Sequence, residues 1–309
     1  MKKLVLILFT LFIAHQVNAA SMEDALLLVA KNKSGQAISI LDKMSREGNV
    51  EARYVLGRLL YYSATDSGTA KKGYDYILSA ARDNSNDALL ELGDIYYYGY
   101  FLKRDINKAF KYYTQAAENG NAQAQFNAGH LLISNEYIEN RCEDGVLFLI
   151  QSDRKDYPEA SEMLGKLYMS GNCVKKDVKK SIAYFEKVKD EIGGASFVLG
   201  GMCLDGSIEC SDEEYFRYIK TSSELGYYEA ITFLADCYFY GKGVTRDHLK
   251  ALQLYKKGAS LMVSSSMMRL FHLYNDGAFV AKDINLAQKY LRKAYRLGDK
   301  KAIEIVGKN

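Results

Sequence analysis

The chain has 309 residues, 48 % hydrophobic and 26 % charged, with 41 Lys and Arg against 38 Asp and Glu. A balance this close to neutral carries no electrostatic footprint for nucleic acid or for an anionic membrane surface. Length alone allows about two domains, and five cysteines, an odd number, leave at least one thiol unpaired.

Residues 1–19, MKKLVLILFTLFIAHQVNA, join two lysines, an apolar stretch from Leu4 to Ala14 and a Val-x-Ala ending. This is the layout of a cleavable secretory signal peptide, too short in its apolar part to span a bilayer. Cleavage is expected after Ala19. No cysteine follows the stretch, so a lipid anchor is not expected, nor membrane insertion once the leader is removed. The short basic start suggests a bacterial chain that is periplasmic or secreted, a setting in which disulfides form. Loss of Lys2 and Lys3 leaves 39 basic against 38 acidic residues.

Beyond the leader the chain repeats itself. Gly57, Gly93, Gly129, Gly165 and Gly200, then Ala235, Phe271 and Gly307, recur every 35 or 36 residues. Small residues stand five positions earlier, from Ala52 to Ala302, and apolar ones at −1, +2 and +3. Those offsets share one helical face, so each unit opens with an amphipathic helix A. A second small column, Gly73, Ala109, Gly145, Ser181, Tyr215, Ala251 and Ala287, has Ile, Leu, Tyr or Phe four residues on. It marks a helix B, packed closely against A where side chains are missing. Glycines at 99, 171, 206, 241 and 277 stop helix A. Aspartates at 105, 177, 247 and 283, with Thr69 and Ser211 in register, start helix B. The phrase YGKGVTRD at 240–247 is therefore a stop, a short loop and a start.

These residues resemble the Sel1-like repeat, a relative of the tetratricopeptide repeat. Ala230 to Ala251, AITFLADCYFYGKGVTRDHLKA, follows most of its pattern, departing at Ala235 in the glycine column, and Ala88 to Ala117 is nearly as good. The resemblance implies an all-α helix-pair solenoid, a right-handed superhelix in which neighbouring pairs close one another's core. Residues 20–50 form an N-terminal half-repeat cap. Seven repeats follow over 51–300, at 51–86, 87–122, 123–158, 159–193, 194–228, 229–264 and 265–300, and 301–309 form a C-terminal capping helix. Repeat three departs most, with Arg141 at the cap position and the only proline, Pro158, at its end.

No constellation carries chemistry, and no catalytic residue, metal ligand or cofactor is expected. Only Ser152 of 22 serines has a lysine three residues on, and G-x-S-x-G is absent. His130, His248 and His272 fall one to a repeat and are not expected to share a metal. DNSND at 83–87 begins like a calcium loop, but Ala88 stands where the turn needs glycine.

What the pattern leaves free is a surface. The columns two residues before the anchor and one and five past it lie on one helical stripe apart from the packing face, and the +1 and +5 columns vary from unit to unit while their neighbours obey the repeat. Along the A helices they present Arg58, Tyr62, Asp94, Tyr98, His130, Lys166, Asp236, Tyr240 and His272. In a solenoid such columns line the concave side, with tyrosines as anchors and charges as selectors of a protein partner. The family resemblance implies an adaptor or regulator in the envelope, or an immunity protein blocking a toxic effector, and not an enzyme. The alternative is the penicillin-binding and β-lactam-hydrolysing activity linked to a cysteine-rich branch of the family. That branch pairs cysteines eight apart in each repeat, a series this chain lacks. Two bridges are expected, Cys203 with Cys210 and Cys142 with Cys173, leaving Cys237 as a buried thiol.

Overall fold

The computed structural model describes residues 21–134, 141–277 and 279–307, and every regular element among them is an α-helix. The leader reading falls on residues outside this set. The chain divides into two compact units, 1–152 and 153–309.

The first unit comprises α1 (Met22–Ala30), α2 (Ser34–Arg46), α3 (Val50–Tyr62), α4 (Ser67–Arg82), α5 (Asn86–Tyr98), α6 (Ile106–Glu118), α7 (Ala122–Ser134) and α8 (Cys142–Asp153). The second comprises α9 (Pro158–Ser170), α10 (Val178–Val188), α11 (Gly193–Leu204), α12 (Asp212–Glu224), α13 (Ala230–Tyr240), α14 (His248–Ser260), α15 (Ser264–Asp276), α16 (Ile284–Arg296) and α17 (Lys300–Val306). From α1 to α7 and from α9 to α17, each helix packs on the next in the chain. In the second unit the A helices α13 and α15 also touch. This is the helix-pair stacking of a solenoid.

Helix–loop–helix geometry follows from a few repeated atoms. Gly99, Gly171, Gly241 and Gly277 take left-handed φ values of 74, 79, 75 and 75°, where a side chain is disfavoured. The aspartate that opens the next helix then works twice. The amides of Asp105, Asp177, Asp247 and Asp283 donate to the carbonyls of Tyr96, Tyr168, Tyr238 and Tyr274 at 2.8–2.9 Å. Their carboxylates accept the third amide of the new helix at 2.9–3.0 Å. One residue thereby fixes the end of A through its backbone amide and the start of B through its carboxylate. In three of these loops the lysine at that third position lies over the same tyrosine ring: Lys108 on Tyr96, Lys180 on Tyr168, Lys250 on Tyr238.

Repeat one starts its helix B differently from expectation. The cap is Asp66, not Thr69: α4 begins three residues earlier, and Asp66 accepts both the Thr69 amide (2.9 Å) and its hydroxyl (2.7 Å). Threonine is the third helical residue of a cap it does not supply.

Cores run between the helix faces that the small columns predict. A Cβ on Gly73 would lie 2.5 Å from the backbone nitrogen of Tyr61, so α3 and α4 approach through backbone contact. Ala109, Ala251 and Ala287 in the same column are fully buried, and Ser181 donates to the Gly165 carbonyl at 2.8 Å. Tyr215, the one large residue in the column, is buried too. Within each unit, helix pairs follow one another through a Schellman turn: Asn49, Ser85, Asn121, Tyr227, Val263 and Asp299 each donate to a carbonyl five residues back. The DNSND segment is one of these junctions.

Candidate functional site

The A helices carry polar side chains on the stripe outside the packing face, and the two units use it differently. In the first unit the centre is Glu91 of α5, only 7 % exposed. Its carboxylate accepts from the Arg58 guanidinium at 2.7 Å, from the Tyr54 hydroxyl at 3.2 Å and from the Tyr62 hydroxyl. A buried carboxylate needs such partners to stay charged. Burial first, then the Glu91 hydrogen bond, pushes the Tyr62 hydroxyl well above the usual phenol range. Burial lowers the Arg58 guanidinium, but Glu91, Tyr54 and Tyr62 outweigh it, so the net direction is up. With its hydroxyl held, the Tyr62 ring is fixed while 47 % of the residue stays exposed.

Around that ring stands an exposed aromatic cluster. Tyr98, Tyr100 and Phe101 are 61, 60 and 48 % exposed. Tyr100 meets Tyr62 edge-on at 5.9 Å and lies 5.7 Å from Tyr98. Phe101 meets the buried Tyr61 edge-on at 5.5 Å, and its amide donates to the Tyr61 hydroxyl. Soluble surfaces rarely gather large apolar rings this way unless they bind something.

Beside the cluster a pocket of about 260 Å³ lies between α5 and α7, lined by Asp94, Tyr97, Tyr98, Tyr113, Phe126 and His130 among others. Gly93 makes room for the Tyr113 ring, which a Cβ there would meet at 2.3 Å, and the Tyr113 hydroxyl donates to Asp94 at 2.6 Å. Burial pushes the Asp94 carboxyl up, with Glu91 adding to it; Tyr113 and Arg58 pull the other way.

In the second unit Asp236 of α13 accepts from the Tyr255 hydroxyl and from Arg269 of α15 at 2.7 Å. A pocket of about 390 Å³ opens there, with Phe233, Met268, His272, Lys300 and Lys301 in its lining. Lys166 is bound to Glu162 of its own helix at 2.8 Å. Tyr240 is 56 % exposed and meets Phe239 edge-on. Phe239 also contacts Phe279, which sits at φ +63° and stacks on His248 at 3.9 Å.

The structure thus brings Arg58 and Tyr62 together on Glu91, puts Asp94, Tyr98 and His130 in one pocket, and puts Asp236 and His272 in another. Lys166 and Tyr240 stand apart from both. Four segments, 86–121, 158–188, 229–261 and 264–299, match the family model of the Sel1 repeat. The chain carries four Sel1 repeats. A protective antigen of uropathogenic Escherichia coli with an SLR fold superposes with a TM-score of 0.77 at 22 % identity, covering 86 % of this chain and 57 % of that one. A Sel1 repeat protein from Oxalobacter formigenes gives 0.70 at 22 % identity, covering 97 and 90 %. The Arabidopsis thaliana ERAD-associated E3 ubiquitin-protein ligase component HRD3A is 29 % identical over 93 residues. That stretch is 29 % of this chain and only 14 % of the curated relative.

The helix pairs outside the four matched segments depart from the pattern. Repeat one starts its second helix from Asp66, repeat three has Arg141 at the cap position, and repeat five fills the small column with Tyr215. Among the groups in the site that sequence did not single out are Glu91, Tyr100 and Phe101. Glu91 is the only acid two residues before an anchor, and YF follows the stop glycine where other units read NC, SI, KG or AF. Those were the available signals. Cys203 and Cys210 are joined by a disulfide across the loop after α11. Cys142 and Cys173 are disulfide-bonded as well, and Cys237 is free and buried.

Proposed function

We propose that this Sel1-repeat protein is an exported interaction scaffold that holds a partner protein on the exposed stripe of its A helices. The observation that carries the reading is the cluster of Tyr62, Tyr98, Tyr100 and Phe101, held from beneath by Glu91 and Tyr61. Rigid aromatic area with little rotamer entropy to lose is what partner recognition uses. The repeat itself supports the reading, since its packing needs none of these rings. HRD3A, similar over a short stretch, is by its name a component of an E3 ubiquitin-protein ligase. Export is supported by the leader-like first nineteen residues and by the Cys203–Cys210 bridge, because disulfides persist in oxidising compartments. Among the described residues no helix is long and apolar enough to cross a membrane.

Site-specific photo-crosslinking in the living cell tests this. A photoreactive residue in place of Tyr98 should yield a discrete protein adduct, and one in place of Lys111 on the outer face of α6 should not. Equal adducts from both, or none from either, would contradict the proposal. Mass analysis of the same material reports export: a mature chain beginning at Ala20 is expected.

A further inference from the structure

The repeat symmetry sets up one carboxylate twice, with different company. Asp94 and Asp236 occupy the same register, one residue past the anchor. Each accepts a hydroxyl from the tyrosine of its own helix B, Tyr113 or Tyr255. In the second unit the next A helix supplies Arg269, whose Nη2 lies 2.7 Å from Asp236. The Arg58–Glu91 pair joins the same two columns with the charges exchanged. At Asp94 the position equivalent to Arg269 is Asn127, and among the described residues no ion pair reaches this carboxylate.

The pocket that opens on Asp94 is also the more aromatic of the two. Tyr97, Tyr98 and Phe126 line it, and Phe126 stacks with His130 at 6.1 Å between ring centres. Aromatic faces carry negative charge density and favour a cation, Arg most often. A carboxylate at one end and ring faces around it form a receptor for a flat, weakly hydrated cation. The rise of the Asp94 carboxyl agrees, since burial, with Glu91 adding to it, outweighs the pull of Tyr113 and Arg58.

We infer that the Asp94 pocket receives a guanidinium: an arginine side chain presented by the partner protein, in the place Arg269 fills from within the chain at Asp236. This rests on the scaffold reading above and names what one part of the scaffold recognises.

The probe is Nα-acetyl-L-arginine amide, titrated into the full mature chain and followed by amide chemical shifts. Saturable shifts are expected at Asp94, Tyr97, Asn127 and His130. Asp94→Asn, which keeps an acceptor for Tyr113, should weaken binding about tenfold or more, the size of a charge-assisted hydrogen bond. Asn127→Arg should abolish it by supplying the guanidinium internally, and Arg269→Ala should open a second site at Asp236. Unsaturable shifts, binding untouched by Asp94→Asn, or equal binding of the lysine or glutamine amide would overturn the assignment. The crosslink at position 98 separates the two readings. An adduct that persists in Asn127→Arg alongside failed titration removes the guanidinium pocket and leaves the scaffold. Loss of position specificity at 98 removes the scaffold itself.

Discussion

Met262 shows how one backbone position is filled by whatever the chain has there. Seven junctions after a helix B use a left-handed residue, Gly48, Asn84, Gly120, Asp156, Gly226, Met262 and Gly298 in turn, and the junction after α10 has none. At φ +63° methionine bears a steric cost that glycine does not, and it is 60 % exposed, so little packing opposes its removal. Met262→Gly should raise stability by about 1 kcal/mol in a denaturant titration. Asp94 makes a second residue-scale prediction. Its carboxyl is raised in the folded chain, so the folded state binds the proton more tightly than the unfolded one. That contribution is full below the ordinary aspartate range and is lost as pH rises through the folded value. Asp94→Asn cannot lose it. The melting temperature of Asp94→Asn relative to the parent should therefore be higher at pH 7 than at pH 3, and a difference independent of pH would contradict the burial argument.

At the scale of the element, the loops and close helix pairs were legible because they depend on residues close together in sequence. Stop glycine, cap aspartate and small column fall at fixed offsets, and the four loops built on them share the same hydrogen bonds. Thr69 misled because Asp66 lies within one turn and a carboxylate caps as well as a hydroxyl. Glu91 was not legible, because its partners Tyr54, Arg58 and Tyr62 sit on the preceding A helix, 29 to 37 residues away. Only packing of one repeat on the next reveals that the two columns touch. α1 belongs to the same class, since the columns do not mark it. Two glycine substitutions separate backbone from side-chain contact. Gly73→Ala drives a methyl group into the Tyr61 backbone and should cost about 2–3 kcal/mol. Gly93→Ala meets the Tyr113 ring first, a side chain and not backbone, and Ala235 already occupies the equivalent place beside Tyr255, so about 1 kcal/mol or less is expected. Equal losses would mean that the α3–α4 approach is not set by backbone contact.

For the whole molecule, the thiols report both fold and compartment. Burial pushes the Cys237 thiol up to about 12, so it is un-ionised and inert at neutral pH. Mature chain recovered without reductant should show no reactive thiol when folded and one when unfolded. Five would mean that the bridges never formed in the cell. The central claim is that binding lives on the exposed stripe of the A helices and not on the repeat framework. Once the crosslinked partner is in hand, its dissociation constant for a matched alanine series decides the matter. Tyr98→Ala and Tyr100→Ala should each weaken binding by about 2 kcal/mol, some thirtyfold, with helicity unchanged. Lys111→Ala and Gln115→Ala on the outer face of α6 should leave it where it was. Equal loss from both sets, or from neither, would place the binding surface elsewhere.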